Sequence, residues 1–125
     1  MDTAQSAIDN LLGNNVNEIL QAIDSKMNKG GIVVWALYAQ FFNQDAVEPC
    51  TTGYDWTFPI PGIGNAVTTS NRAKMNTLVV NANNVIKDAI SKAPSGSGAT
   101  YVAADWDPFV GKLDGRMVCR SFVPH

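Results

Sequence analysis

The chain is poor in the residues from which most metal, redox and nucleophilic sites are built. Its 125 residues include two cysteines, Cys50 and Cys119, and one histidine, His125. No CxxC, no Cys/His cluster and no HExxH is present, so neither a metal site nor a cofactor is expected. GxSxG is missing too. Net charge is −2, with no basic block, so a dense cationic face for nucleic acid is not expected. No apolar run approaches the roughly 18 residues of a membrane span. The opening "MDTAQSAIDN" has neither a basic n-region nor an apolar h-region and does not read as a signal peptide.

What remains is an ordinary globular composition, 46% hydrophobic and 16% charged, at the length of one small domain over residues 1–125. Disorder would need fewer apolar residues and more net charge. Residues 3–28 read as an amphipathic helix, with Ile8, Leu11, Leu12, Val16, Ile19, Leu20, Ile23 and Met27 forming one stripe. Asp2 or Thr3 suits its N-cap, and Gly30 and Gly31 its stop. "IVVWALY" (32–38) is bounded by glycines, rich in β-branched residues and free of alternation, the pattern of a strand buried on both faces in a parallel sheet. Residues 43–67, broken by Pro49, Pro59 and Pro61, read as a long loop. A second helix is expected over 69–93, capped by Thr69 or Ser70 and burying Met75, Leu78, Val79, Ala82, Val85, Ile86, Ala89 and Ile90. "TYVAAD" (100–105) reads as a second buried strand, and the rest as loop.

Two buried strands joined by a helix make a right-handed parallel crossover. One helix on each face of that sheet gives a three-layer α/β/α class. Ligands in such sheets bind outside the carboxyl ends of the strands. "AQFFNQD" and "DWDPF" occupy that rim, offering Gln40 and Asn43 on the first segment and Asp105 and Asp107 on the second. Asp45 is a further polar group on the first. Asp105 and Asp107 fit a paired-carboxylate site. The structural alternative is that each bonds nearby turn amides, and it is the favoured one. Ser121 and His125 are close in sequence but make a poor nucleophile and base at the very end of the sequence. Trp35, Phe41, Phe42, Trp56, Phe58 and Trp106 suit either a sugar-binding groove or packing anchors, with anchoring favoured.

"YAQFFN" (38–43) followed by Cys50, then a helix reading "RAKMNTLVVNANNVIKDAI" (72–90), the D-x-D of Asp105 and Asp107, and the G-x-x-x-C of Gly115 and Cys119 follow one another in order. In that order and spacing the chain resembles the C-terminal part of the fungal SGNH (GDSL-type) hydrolases, a family of secreted esterases and lipases. The resemblance implies a partial SGNH-hydrolase-like, flavodoxin-like parallel sheet. It carries over no catalytic residue. The family's GDS serine block has no counterpart here, "GNN" (13–15) sits too close to the first strand to be its asparagine block, and Arg116 stands where histidine often follows the glycine. The expectation is a fragment or degenerate member of an ester-hydrolase or lipase family, inactive alone. The alternative is a small non-enzymatic binding protein using the aromatic loop 54–63 for carbohydrate or protein contact. The ligand class implied is an ester or carbohydrate, and the compartment is secretory if the chain belongs to a full-length family member. If the strands are parallel neighbours, Cys50 and Cys119 fall at the same rim. The oxidising compartment of the family then allows a disulfide worth about 4 kcal/mol by chain entropy. Two strands also leave a sheet edge unpaired, so self-association through that edge, or recruitment of a partner strand, is expected.

Overall fold

The computed structural model describes residues 2–42 and 69–113. The elements in order are α1 (Asp2–Ala7), a π-helical turn (Ile8–Leu12), α2 (Gly13–Asp24), β1 (Ile32–Ala36), α3 (Thr69–Ser91), β2 (Thr100–Ala104), a 3-10 turn (Asp107–Phe109) and α4 (Val110–Leu113). The described residues form a mixed α/β structure around a two-stranded parallel sheet. β1 and β2 pair in the register Ile32↔Thr100 through Ala36↔Ala104.

The first helix is one continuous rod with a π turn in it. Ala7 and Gly13, the residues flanking the turn, both hold right-handed helical angles. The π turn inserts extra backbone into the 3.6-residue repeat, so the apolar stripe shifts phase as it crosses residues 8–12. The helix ends at Asp24, earlier than the apolar spacing predicts. Residues 25–31 then turn the chain into β1, with Gly30 at φ +80, a value that suits glycine because it has no Cβ. Lys26 and Lys29 thus lie beyond the helix. Thr69 and Ser70 both fall within α3. The stretch after Asp105, expected as loop, contains the 3-10 turn, with Pro108 near its start, and the short α4.

The expectation that the two helices cover opposite faces of the sheet is corrected. Val16 and Leu20 of α2 and Ile86, Ala89 and Ile90 of α3 make one core, and Trp35, Tyr101 and Ala103 pack against it from a single face of the sheet. Strand side chains alternate between faces. Ile32 and Val34 are accordingly 67% and 62% exposed, and Val102 43%. The described elements therefore make two layers, helices on sheet. Burial on both faces, expected for "IVVWALY", is corrected: only the face carrying Trp35 is covered, and on it Leu37, just past β1, is 4% exposed. Burying Leu20 or Ile86 fully contributes about 1.5–3 kcal/mol each. Leu11 and Ile19, placed by spacing on the buried stripe, are 58% and 48% exposed.

Candidate functional site

Both strands point their carboxyl ends the same way, so the segments that leave them meet at one rim. The first, residues 37–42, is drawn along α3 rather than into the solvent. Leu37 N–H still donates to Ala104 O (3.0 Å). From Tyr38 the backbone is held by asparagine side chains of α3. Tyr38 N–H donates to Asn83 Oδ1 (3.0 Å), and Asn83 Nδ2 donates to Tyr38 O (2.8 Å). Phe42 N–H donates to Asn76 Oδ1 (3.2 Å), and Asn76 Nδ2 donates to Phe42 O (2.7 Å). Each asparagine thus satisfies both backbone groups of one residue. Asn76 and Asn83 are buried, as is Arg72 one turn before Asn76. This polar first half of α3's inner face gives way to the apolar Ile86, Ala89 and Ile90.

The second segment begins at Asp105. Its Oδ1 accepts from Asp107 N–H (3.0 Å), a local side-chain turn of the kind aspartate favours. Its Oδ2 accepts from Lys87 Nζ (3.0 Å). Asp107 Oδ2 lies 3.9 Å from the same ammonium, and Asp107 Oδ1 accepts from Gln40 Nε2 (3.4 Å). Three of the four rim residues expected from sequence, Gln40, Asp105 and Asp107, are therefore brought together. Asn43 lies outside the described residues, as do Cys50, Cys119, loop 54–63, Ser121 and His125. The turn-bonding reading of Asp105 is what the geometry displays. The Asp107 N–H bond, aided by Lys87, holds the Asp105 carboxyl below its usual range. A carboxylate so held stays ionised and accepts hydrogen bonds. It is poorly suited to donate a proton as a general acid.

Lys87 was not legible as a site residue. It stands one position after the buried Ile86, where a lysine usually reads as solvated surface. It also stands four residues after Asn83, on the same side of the helix, and reaches the Asp105 turn from there. Beside the cluster is a cleft of about 410 Å³ lined by Gln40, Ala73, Asn76, Thr77 and Val80. Gln40 belongs to both. Exposed aromatics surround this end: Tyr38 and Phe41 on the first segment, Trp106 and Phe109 on the second. Phe41 and Phe42 meet edge to face at 5.3 Å, and Lys112 Nζ lies 5.7 Å from the Phe109 ring centre. Of the aromatics expected as anchors, Trp35 packs on the core, while Phe41 and Trp106 are open to solvent.

Three described serine hydroxyls donate to structural acceptors, two of them within their own helical turn and one across the fold. Ser25 and Ser91 donate to Ala22 O and Asp88 O, and Ser97 donates to Asp24 Oδ1. Among the described residues, no three acidic, histidine or cysteine side chains converge in a way that would hold a metal ion. No described helix is long and apolar enough to cross a membrane. What the rim offers chemically is a fixed pair of carboxylates, an ammonium between them, an amide and flat aromatic faces. Comparison with known protein families, with curated proteins and with solved structures found no match.

Proposed function

We propose that the chain is part of an SGNH-hydrolase-like domain of the ester-hydrolase and lipase type, and that it supplies the rim of a substrate site without the reacting groups. The observation that carries this reading is the meeting of Gln40, Asp105 and Asp107 at the carboxyl ends of two parallel strands, the end where α/β sheets place ligands. The bare apolar face of Ile32, Val34 and Val102 supports it, because parallel sheets are normally covered on both faces. In this reading a third layer completes the α/β/α sandwich, the working compartment is secretory, and Cys50 pairs with Cys119. Serine hydrolysis needs nucleophile, base and oxyanion donors together, and the only histidine is His125. Purified chain assayed on short p-nitrophenyl esters is expected to match the buffer blank. Turnover lost on Ser121→Ala or His125→Ala would reverse the assignment. A non-reducing peptide map should show one Cys50–Cys119 cross-link in secreted material, and two free thiols there would remove that part of the reading.

The exposed Tyr38, Phe41, Trp106 and Phe109 favour a second reading, a binding protein for carbohydrate. Flat aromatic faces beside amide and carboxylate groups suit the apolar and hydroxyl sides of a sugar ring. Titration of soluble oligosaccharides against tryptophan fluorescence separates the two. A saturable signal lost on Trp106→Ala favours binding.

A further inference from the structure

The segment "PSGSG" (94–98) joins α3 to β2 at the end of the sheet opposite the rim. Together with Tyr101 of β2 it closes on the carboxylate of Asp24, the last residue of α2. Oδ1 accepts from the Ser97 hydroxyl and from Tyr101 OH (2.9 Å). Oδ2 accepts from Ser97 N–H (3.2 Å), and the Gly96 amide adds a further hydrogen bond. A Cβ at Gly96 would crowd Oδ2 at 3.2 Å, so glycine is what lets the backbone close on that oxygen. Successive amides of a turn gathered in this way make a concavity suited to an anion.

The donors are also held by bonds that do not involve Asp24. The Ser97 hydroxyl oxygen accepts from Ala99 N–H (3.1 Å), which leaves its own proton to point at the carboxylate. Gly98 N–H donates to Ser95 O (3.1 Å) and closes the turn on itself, with Gly98 at φ +71. Gly98 O accepts from Gly30 N–H (3.2 Å), and Thr100 N–H donates to Gly31 O (2.8 Å), so the turn is moored to the residues that lead into β1. Tyr101 packs against the core. The Asp24 side chain reaches this set from another element, and taking it away cuts none of these bonds. Asp24, Ser97 and Tyr101 are half-buried, so the place where the carboxylate sits is within reach of a small ion.

We infer that residues 95–98 and Tyr101 form a preorganised carboxylate-binding site, closed in the native chain by Asp24 as an internal ligand and able to take a free carboxylate once Asp24 is removed. The described donors are neutral hydroxyls and amides spread over two oxygens, the needs of a flat carboxylate. A phosphate would bring further charged oxygens that these donors do not serve. The site lies at the opposite end of the sheet from the rim, and it stands or falls independently of the ester-hydrolase reading.

The test is chemical rescue of the 125-residue chain carrying Asp24→Gly, with sodium formate as the probe and sodium chloride at equal ionic strength as the reference. Formate is a carboxylate without the tether, and loss of Cβ leaves it room. At about four times its dissociation constant, formate should raise the melting temperature of Asp24→Gly by about 4 °C over chloride. The Gly96 and Ser97 amides should shift in NMR with saturation at the same midpoint. The native chain and Asp24→Asn, in which a side chain fills the cradle, should show neither response. Adding Ser97→Ala to Asp24→Gly should weaken formate binding at least about tenfold, because a hydrogen bond to a charged group is lost. If Asp24→Gly is unfolded at rest, formate should restore its far-ultraviolet circular dichroism. Chloride matching formate, an equal response in Asp24→Asn, or an unfolded Asp24→Gly that formate does not restore would each overturn the site. Rescue by inorganic phosphate at lower concentration than formate would overturn its assignment to a carboxylate.

Discussion

The two ends of the parallel sheet each gather polar side chains around aspartate, one carboxylate at one end and two at the other, and they hold them by different means. At the amino ends of the strands, Asp24 closes α2 against the start of β2. It accepts from Ser97 N–H (3.2 Å), the Ser97 hydroxyl and Tyr101 OH (2.9 Å). All these donors are neutral, and no cation is paired with Asp24 among the described residues. At the carboxyl ends, Asp105 and Asp107 flank the Lys87 ammonium, and Gln40 bridges to the neighbouring segment. The first cluster is a tie: its donors come from the residues it joins. The second lies beside a cleft and among exposed aromatics. Aspartate is the same residue in both places, and its partners differ: neutral donors from the segments it joins at one end, an ammonium and an amide beside a cleft at the other.

The largest effect that would sharpen this contrast is expected from the backbone clamp. Asn83→Ala removes two hydrogen bonds to Tyr38 from a fully buried position. Loss of both bonds and of packing should cost about 2–3 kcal/mol, seen as a fall in melting temperature of roughly 10 °C for a chain of this size. A melt unchanged on Asn83→Ala would mean the segment 38–42 is not held by α3.

Asp24→Asn should have a smaller effect with a distinct pH signature. Hydrogen bonds from the Ser97 hydroxyl, and then from Tyr101 and the Ser97 and Gly96 amides, hold the Asp24 carboxyl below its usual value. A depressed folded pKa means that the stabilisation is complete above the unfolded value near 3.8 and is lost as pH falls through the folded one. The variant should therefore melt several degrees below the parent at pH 6, and the gap should narrow as pH falls below 4. Tyr101 points the other way: burial first, and then Asp24, raise its pKa above 10.0. Its contribution is complete below pH 10 and lost above it. Thermal scans from pH 2 to 11 measure both limbs, and a gap independent of pH would break the comparison.

The smallest effect belongs to Lys87→Met. The pair with Asp105 is partly exposed, 34% and 26% by side chain, so its removal should cost less than about 1 kcal/mol. The informative readout is the Asp105 titration by carboxylate NMR. Because the Asp107 amide is the larger cause of the depressed pKa and remains in place, the value should rise only part of the way to normal.

The sequence was informative about element type and order. Both strands, both long helices and the parallel pairing occur in the order expected, although the first helix stops at Asp24 and the first strand at Ala36, short of the bounds that apolar spacing sets. The layering was not legible, for a reason visible in "IVVWA" itself. With no polar residue at any position, the strand carries no phase, and an unbroken apolar run cannot show that Ile32 and Val34 are bare while Trp35 is packed. The α2 stripe failed at Leu11 and Ile19 for related reasons: the π turn resets the phase, and the apolar arc is wider than the core it meets. At the rim, the meeting of Asp105, Asp107 and Gln40 was legible because both segments leave the carboxyl ends of neighbouring parallel strands. Asn76, Asn83 and Lys87 were not, because asparagine inside a helix normally counts as neutral filler and its backbone partners are more than thirty residues away in sequence.

The asparagine clamp separates how the rim is held from what the rim displays. An amide side chain is a peptide group detached from a chain, so Asn76 and Asn83 let a helix act as the neighbouring strand for residues 38 and 42. Seven residues of helix rise about 10.5 Å, and four residues of extended chain reach about 13 Å, so the two anchors span nearly matched lengths. Both anchors grip main chain only. Tyr38 and Phe41 can therefore be exchanged without loosening the grip, while Ala39 and Gln40 ride between fixed points. Such a segment is free to change its lettering at those positions while keeping its shape, because its position is fixed through main chain alone.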